Sequence, residues 1–500
     1  MTPETWLDIG YNVLVVVLLV LVATGAIPVV TALIHFLAIP LHAVINHYKK
    51  AEPYFPNVAV MVPAWNEGAV VGTTIERLLA LEYPAERLRV YVIDDASTDE
   101  TPQVVAAKAA EHARRVFLLR REQGGQGKAH TLNHGIRIVL DEPWAEAILI
   151  MDADVIFTPT SLRRMTRHLA DPKVGAVSAY IAEGSGDPNY MTRFIAIEYV
   201  LAQLASRRAQ NVLGAHACLA GGAQLHSREN LEAIGGAIPT GTLAEDTLAT
   251  FESQLHGRRM VFEPHAVVLA EEPGTIDALW KQRLRWARGN VQVSSIYRKI
   301  WFRPGHGVHH LGNIAFGASW FSIFLLPFFM ILSSIGLVGL LLLQSDLAST
   351  VFRALWVTAA LTYIFSMLIG VQLDGRIARL SWREAFLFPG AISFVVMIAA
   401  LFPGLIEEQL PAAFGQRLLP EGYFWLTLGI YVWISVAMLG AWLARRVEKT
   451  RVGRFLSPLL VYLVGYGPLL CAITFDSYIK EWRKADASWI KTEKTGRVMS

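Results

Sequence analysis

Ile148-Leu149-Ile150-Met151-Asp152-Ala153-Asp154 is a short apolar run that stops on two carboxylates one residue apart. A buried strand of an α/β sheet reads as a continuous apolar run, and the ligands of such sheets bind beyond the carboxyl ends of the strands. Side chains two apart on a strand share a face, so Asp152 and Asp154 are expected side by side. Two hard oxygen donors suit Mg²⁺ or Mn²⁺ carrying a diphosphate. The plainer reading of an Asp-x-Asp at a strand end is a solvated turn, and the surrounding sequence decides between the two.

Upstream of this run the pattern is strand then helix, repeated: Val58–Val62, a helix from Ala69, Arg89–Ile93, a helix from Thr101, Val116–Leu119, and a helix from Lys128. That alternation predicts a parallel sheet with helices on both faces. Polar residues gather just past the strands, as Asn66-Glu67 after the first, Asp94-Asp95-Ala96-Ser97-Thr98-Asp99 after the second and Gly124-Gly125-Gln126-Gly127-Lys128 after the third. The glycine-rich stretch reads either as a flexible turn or as a phosphate cradle, with Lys128 opening a helix whose amino end favours anions. Four polar strand ends in register favour a binding site over four unrelated turns.

At 53% hydrophobic and 17% charged over 500 residues, the chain is too apolar for an ordinary soluble enzyme. The excess is localised. Tyr11 to Ile45 is almost uninterrupted apolar sequence, residues 52–310 have a soluble balance, and residues 311–480 return to long apolar runs. Cys218 and Cys471 lie far apart in different regions, which argues against a disulfide framework and fits a reducing compartment for Cys218. The net charge of +3 decides nothing.

Six spaced motifs carry a resemblance: Asn66-Glu67, Asp94-Asp95, Gly127-Lys128-Ala129 with Leu132-Asn133-x-Gly135, Asp152-x-Asp154, Glu245-Asp246 and Gln282-x-x-Arg285-Trp286. Over residues 58–290 the chain resembles family 2 glycosyltransferases, and within them the membrane-integrated, processive branch of cellulose, chitin, hyaluronan and poly-N-acetylglucosamine synthases. It departs from the family pattern at Ala244, where Thr is common, at Ala96, where Gly is common, and at His130-Thr131, where small residues are usual. The resemblance implies a GT-A-type, Rossmann-like α/β domain inserted between transmembrane α-helices, a UDP-sugar donor, a polysaccharide acceptor and inversion at the anomeric carbon. It also implies roles: Glu67 and Asp94 on the uridine with Asp95 less securely, Lys128 on phosphate, Asp152 and Asp154 on the metal and diphosphate, and Asp246 as general base. Such a base contributes roughly 10²–10⁴-fold. The bland reading of Glu245-Asp246 is an acidic pair stabilising a helix start.

Ile276 to Trp301 has the sharpest amphipathic pattern, with Ile276, Trp280, Leu284, Ala287 and Val291 on one stripe and Lys281, Arg285, Arg288 and Gln292 on another. Seven basic residues between Lys281 and Arg303 face the single acid Asp277, which reads as a helix on anionic lipid. Gln282, Arg285 and Trp286, at i, i+3 and i+4, share one side, and lipid contact does not require that trio. By the resemblance, Gln282 and Arg285 belong to the donor, with Arg285 on the diphosphate, and Trp286 stacks on the terminal acceptor sugar.

Asn12–Leu37 lacks the basic start and cleavage site of a signal peptide and reads as a retained span kinked at Pro28 or Pro40, a two-span hairpin being the alternative. Lys49 and Lys50 after it place the following domain in the cytoplasm. Further spans are expected at 315–342, 351–373, 386–407, 422–444 and 456–476. Arg376, Arg379 and Arg383, then Arg445, Arg446, Lys449, Arg451 and Arg454, mark cytoplasmic loops, and Glu407 and Glu408 fall outside. Lys480, Arg483, Lys484, Lys491, Lys494 and Arg497 make the tail basic too. Both late basic segments cannot be inside across one full crossing, so Gly465-Tyr466-Gly467-Pro468 is read as a break that makes 456–476 re-entrant or interfacial. His309, His310 and the Met and Trp residues of the spans read as packing.

The expected organisation is therefore an N-terminal transmembrane segment (1–50), a GT-A domain (51–275), basic interface helices (276–310), a C-terminal transmembrane region (311–480) and a basic tail (481–500), with no regulatory domain after it. The expected function is processive transfer of a sugar to a β-linked polysaccharide coupled to its passage across the plasma membrane. The alternative is addition of one sugar to a polyprenyl phosphate or other lipid. A degenerate, non-enzymatic transporter or scaffold is disfavoured by the full set of carboxylates. The bilayer is an expected partner and nucleic acid is not.

Overall fold

The computed structural model describes residues 3–45, 52–303, 310–403, 420–486 and 498. The chain divides into two compact units, Met1–Phe36 with Ala318–Ile479, and Leu37–Gly317 with Lys480–Ser500. Lys49, Lys50, His309, Glu407, Glu408, Lys491, Lys494 and Arg497, used above for topology and packing, lie outside the described residues.

Two apolar helices come first, α1 (Pro3–Thr24) and α2 (Ala26–Ile45). They part at Gly25, not at Pro28 or Pro40. Pro28 sits in the first turn of α2, where its missing N–H costs nothing. Gly25 is the close-approach position, since a Cβ there would lie 2.7 Å from Ser333 Oγ.

The second unit is built on β1 (Val58–Ala64), α3 (Gly68–Leu79), β2 (Leu88–Asp94), α4 (Thr101–Glu111), β3 (Val116–Arg120), α5 (Lys128–Asp141) and β4 (Ala147–Met151). These match the alternation read from sequence. Then come β5 (Val155–Phe157), α6 (Ser161–Thr166), β6 (Val174–Glu183), α7 (Tyr190–Glu198), α8 (Ser206–Leu213), β7 (Ala223–Ser227), α9 (Arg228–Ala233), α10 (Glu245–Leu255), β8 (Arg259–Ala270) and α11 (Ile276–Ile296). The eight strands form one sheet in the order β3-β2-β1-β4-β7-β6-β8-β5.

The parallel sheet expected from the strands up to Met151 is present, and later strands extend it into a mixed one. β3, β2, β1 and β4 are parallel, while β7 lies antiparallel to both β4 and β6. β8 is parallel to β6. Two reversals leave the carboxyl ends of β1, β2, β4, β6 and β8 on one edge. Because β7 is reversed, its amino end meets them there, with Ala223 opposite Met151. Under the parallel strands, Ala129, Leu132, Ile136 and Val139 at helical spacing on α5 pack on Met61, Ile93, Ile148 and Ile150. Burying each of the larger side chains contributes about 1.5–3 kcal/mol. Gly135 is required there, since a Cβ would sit 2.7 Å from Ile93 Cγ1.

Among the described residues, three helices are long and apolar enough to cross a membrane: Trp6–Ile45, Leu347–Leu373 and Phe424–Glu448. The number rises to five if each of two bent pairs is one span. One pair, Gly453–Val464 with Tyr466–Trp482, bends by 97° at Gly465, where the sequence called for a break. The other, Ile314–Phe324 with Leu326–Leu342, bends by 74° within the expected span 315–342. Pro327 lacks the N–H that would continue the first helix and its ring crowds the carbonyl four residues back. The expected span 386–407 is, as far as it is described, the 11-residue helix Ala391–Leu401 preceded by Gly390 at φ 90°. At 1.5 Å per residue that helix falls well short of a ~30 Å hydrocarbon core. In the first unit α1 packs on Leu326–Leu342 through glycine: a Cβ on Gly336 would lie 2.6 Å from Leu18 O.

Candidate active site

The strand ends deliver the acids in sequence order. Asp94 closes β2 with no exposed surface. Its Oδ1 accepts the Ser97 N–H at 3.2 Å. Its Oδ2 is 3.3 Å from Arg120 Nε and has no hydrogen-bond partner among the described residues. A buried carboxylate oxygen left this way has capacity for a ligand N–H or O–H.

Asp95 points elsewhere. It pairs with Arg121, and its Oδ2 accepts the Gly125 N–H at 3.0 Å. Arg121 continues to Gln126 Oε1 at 2.6 Å, and a Cβ on Gly124 would collide with the Asp95 carbonyl oxygen. The glycine-rich stretch is thus a loop pinned by Asp95 and Arg121. Glu67, half-buried, immediately precedes α3, its carbonyl oxygen accepting the Val71 N–H at 2.9 Å and its own N–H donating to Thr101 Oγ1 at 2.8 Å. Asn133, inside the motif of α5, exchanges two hydrogen bonds with the backbone of Ile238, at 2.7 and 2.8 Å. That part of the motif is structural.

Past β4, Asp152 and Asp154 are both half-buried. Lys128 Nζ pairs with Asp152 Oδ1 and donates to Gly221 O at 2.9 Å. Burial opposes the Lys128 charge, but Asp152, Glu245 and Asp246 around it outweigh burial and hold its ammonium above the usual lysine range. Asp246 stands in the first turn of α10. Its Oδ2 accepts the Gly221 N–H at 3.0 Å and its Oδ1 the Thr247 N–H at 2.7 Å. Glu245 is pushed up by burial and by the charge of Asp246, against Lys128 and Arg285. Asp152, Lys128, Glu245, Asp246 and Arg285, drawn from four separate motifs, therefore meet in one charged cluster.

Sequence reading passed over the loop that joins them. A Cβ on Gly221 would sit 3.0 Å from Asp246 Oδ2, and one on Gly222 3.2 Å from Asp152 Oδ2. The Gly221-Gly222 pair ahead of a strand was the available signal. Behind the loop, Ser178 Oγ accepts the Ala220 N–H at 3.2 Å and an N–H of Arg207 at 3.2 Å. Burial pushes the Cys218 thiol up, and the nearby Asp246 adds to it.

On α11, Gln282 is buried. Its Nε2 donates to Glu272 Oε2 at 3.5 Å, and its Oε1 has no partner among the described residues. Arg285 and Trp286 are half-buried. The Arg283 guanidinium lies 4.1 Å from the Trp286 ring centroid and pairs with Glu198 at 2.9 Å. The acids answering the basic segment come from elsewhere in the chain: Glu198 for Arg283 and Glu481 for Arg288, with Asp277 taking Lys281. Arg283 and Arg288 thus pair with protein acids rather than presenting free charge.

Among the described residues no group of three or more His, Cys, Asp or Glu side chains forms a protein cage for a metal. Asp152 and Asp154 at a strand end nonetheless fit Mg²⁺ or Mn²⁺, which take one or two carboxylates and complete their shell with substrate phosphates and water.

Residues 56–289 match the family model described as Glycosyltransferase like family 2. They are a family 2 glycosyltransferase domain. The fold is GT-A-like. A β-monoglucosyldiacylglycerol synthase from Synechocystis is 32% identical over 238 residues, covering 48% of each chain. A poly-β-1,6-N-acetyl-D-glucosamine synthase from Staphylococcus aureus is 28% identical over 243 residues, 47% of this chain and 55% of that one. The chain spans about half the length of the curated relatives it matches. A solved mannosyltransferase from Pyrobaculum calidifontis, in complex with GDP-Man and Mn²⁺, aligns with 77% of this chain and 99% of its own at 23% identity and a TM-score of 0.47. The glycosyltransferase domain thus sits with relatives named for a glycolipid and for a polysaccharide.

Proposed function

We propose that the chain is an inverting transferase that moves a sugar from a UDP-sugar to a growing β-linked polysaccharide, processively, and passes the product across the membrane. The observation that carries the transferase reading is the cluster in which Asp246, fixed by the Gly221 N–H, stands beside Lys128, Asp152 and Arg285. Asp246 takes the proton of an acceptor hydroxyl as that oxygen bonds to the anomeric carbon. The bond from that carbon to the diphosphate breaks on the opposite face, and UDP leaves with the electron pair. Lys128 and Arg285 stabilise the departing charge, Arg285 in the bidentate manner of a guanidinium. Asp94 uses its open Oδ2 on the nucleoside, together with Glu67, while Asp95 acts through the loop it pins. Asp152 and Asp154 would hold Mg²⁺ or Mn²⁺, which supplies further neutralisation of the diphosphate.

The polysaccharide reading is supported by α11, where Gln282 Oε1, without a partner among the described residues, and the half-buried Trp286 offer a sugar a hydrogen-bond acceptor and an apolar ring. A lipid acceptor taking one sugar is the second reading, favoured by the 32% identity to a glycolipid synthase. In this proposal the domain faces the cytosol, and so do Arg376, Arg379 and Arg383 on the short helices Gly375–Leu380 and Trp382–Phe386 and Arg445 and Arg446 in the last turn of Pro420–Glu448, on that side of the plasma membrane. The test is the full chain in nanodiscs, given a panel of UDP-sugars and scored for metal-dependent UDP release and product mass. A ladder of sugar additions supports the first reading. A single addition partitioning into chloroform supports the second. No release with any donor refutes both.

A further inference from the structure

Asp246 is held from behind as well as from Gly221. Three residues before it, the Leu243 N–H donates to Gln292 Oε1 at 3.0 Å. Gln292 lies on α11, and its Nε2 donates to Glu481 Oε2 at 3.2 Å. The other oxygen of Glu481 takes the Nε–H of Arg288. Arg288 Nη1 and Nη2 then donate to the carbonyl oxygens of Asp486, at 2.9 Å, and Ala485, at 2.6 Å. Between Arg288 and Gln292, α11 presses on the same turn at Gly289, where a Cβ would lie 2.7 Å from Ala244 N. Glu481 itself is in the last turn of the helix Tyr466–Trp482.

We propose that Glu481 is a positioning residue for transfer: through Gln292 it fixes the Leu243–Asp246 turn and so sets where the base stands. This rests on the reading of Asp246 as base. The chemistry of the amide gives the direction of control. A glutamine presents an acceptor on one side and two donors on the other. Glu481, an acceptor only, compels the Gln292 NH₂ to face it, and that turns Oε1 toward Leu243. Without Glu481 the amide is free to flip, and two donors then face each other across the Leu243 N–H. Arg288 supplies the charge that keeps Glu481 in place, and both are largely buried, at 9% and 20% side-chain exposure. Each such hydrogen bond adds only modestly to folding stability. Displacement of a reacting group by about 1 Å costs on the order of 10²-fold in rate. The tie should therefore weigh more on turnover than on folding.

The test uses the full chain in nanodiscs with four proteins: wild type, Glu481→Ala, Gln292→Glu, and the double exchange Gln292→Glu with Glu481→Gln. In the double exchange, a carboxylate accepts from Leu243 and an amide on the other side donates to it, so the bonds are rebuilt with roles reversed. Turnover should fall about tenfold or more in each single variant, with donor KM unchanged, and recover most of the way in the double exchange. Turnover within twofold of wild type in both single variants overturns the proposal. So does a parallel loss of turnover and donor affinity without recovery, which marks a structural role. Hydrogen exchange of residues 240–250 reads the same tie without any sugar transfer. It should be faster in Glu481→Ala and restored in the double exchange, and an unchanged rate in Glu481→Ala overturns the proposal. A wild-type protein that releases no UDP while its exchange responds as stated refutes the base assignment and leaves the tie standing.

Discussion

In β3-β2-β1-β4 the first three strands each feed a helix through a polar turn and β4 ends on the turn that holds Asp152 and Asp154, whereas in β7-β6-β8-β5 strands run both ways and the chain between β6 and β7 carries a seven-residue π-helical stretch, Tyr199–Ala205. The first half ends in acids held by backbone N–H groups and arginines, which the proposed function assigns to the nucleoside diphosphate. The second half brings Gly221, Asp246 and α11 to the same edge, and each reaches it by a different route. The difference suggests a division of labour: the parallel half binds the donor, and the mixed half places the base and the acceptor.

Asp246→Asn is the sharpest cut between them. It keeps the size of the side chain and most of its hydrogen bonding but removes proton acceptance, so transfer should fall by roughly 10²–10⁴-fold. Donor affinity, read by UDP titration, should hold. Equal loss of UDP binding would erase the proposed division, and a rate within about tenfold, a barrier change of about 1.4 kcal/mol, would move the base elsewhere. Glu245 is then the next candidate, because a carboxyl pushed up by burial is also suited to general-base work near neutral pH.

Asp152→Asn should act on the other side, lowering donor use by roughly a hundredfold, the usual loss when one partner of a developing charge is removed. EDTA should reduce the wild type by at least as much. A wild type fully active in EDTA, or a variant that still binds donor normally, would place the diphosphate away from Asp152. Trp286→Ala should do less and touch only the acceptor. Loss of a stacked ring is worth about 0.5–1.5 kcal/mol, so acceptor KM should rise by up to about tenfold while UDP affinity stays. A matching fall in UDP affinity would make Trp286 a prop for Arg283, which covers its ring.

The same contrast explains what could be read from sequence. β1, β2 and β4 are apolar runs followed by polar turns, and α3 and α5 carry apolar residues at helical spacing, so local pattern and tertiary role agree. β7 has no such pattern. Its Gln224 and His226 are buried, and they are accommodated by a network through Asn230 to Ser253 that only the folded chain supplies. Burial lowers His226 to about 4, which keeps it neutral there. The motif acids were visible as residue types, but not the different settings of Asp94, whose Oδ2 faces Arg120 without a hydrogen bond among the described residues, and Asp95, with one oxygen on Arg121 and the other on the Gly125 N–H. Nor could spacing disclose Glu481, which meets Gln292 from 189 residues away.

The smallest expected effect lies in the donor half, at a position where the sequence departs from its family. Ala96 has φ 57°, in the left-handed region, within the turn between Asp94 and Thr98. A residue with a Cβ is strained there by roughly 1–2 kcal/mol, and glycine is not. Asn66, facing the turn at φ 53°, offsets its own strain because its Oδ1 accepts the Thr98 N–H at 2.9 Å. Ala96 has only a methyl group, 3.2 Å from where a Cβ on Gly124 would be. Ala96→Gly removes the strain but gives the unfolded chain more freedom, worth about 0.4–1 kcal/mol. The balance is a gain of about 0.5–1 kcal/mol, read as a higher unfolding midpoint of the isolated nanodisc-bound protein in urea. UDP affinity should stay within about twofold, because the Asp94 and Asp95 hydrogen bonds do not involve the methyl group. A lower midpoint would mean that the methyl group holds the glycine loop against Asp95. In that case the strained alanine supports donor binding, and UDP affinity should fall with the midpoint.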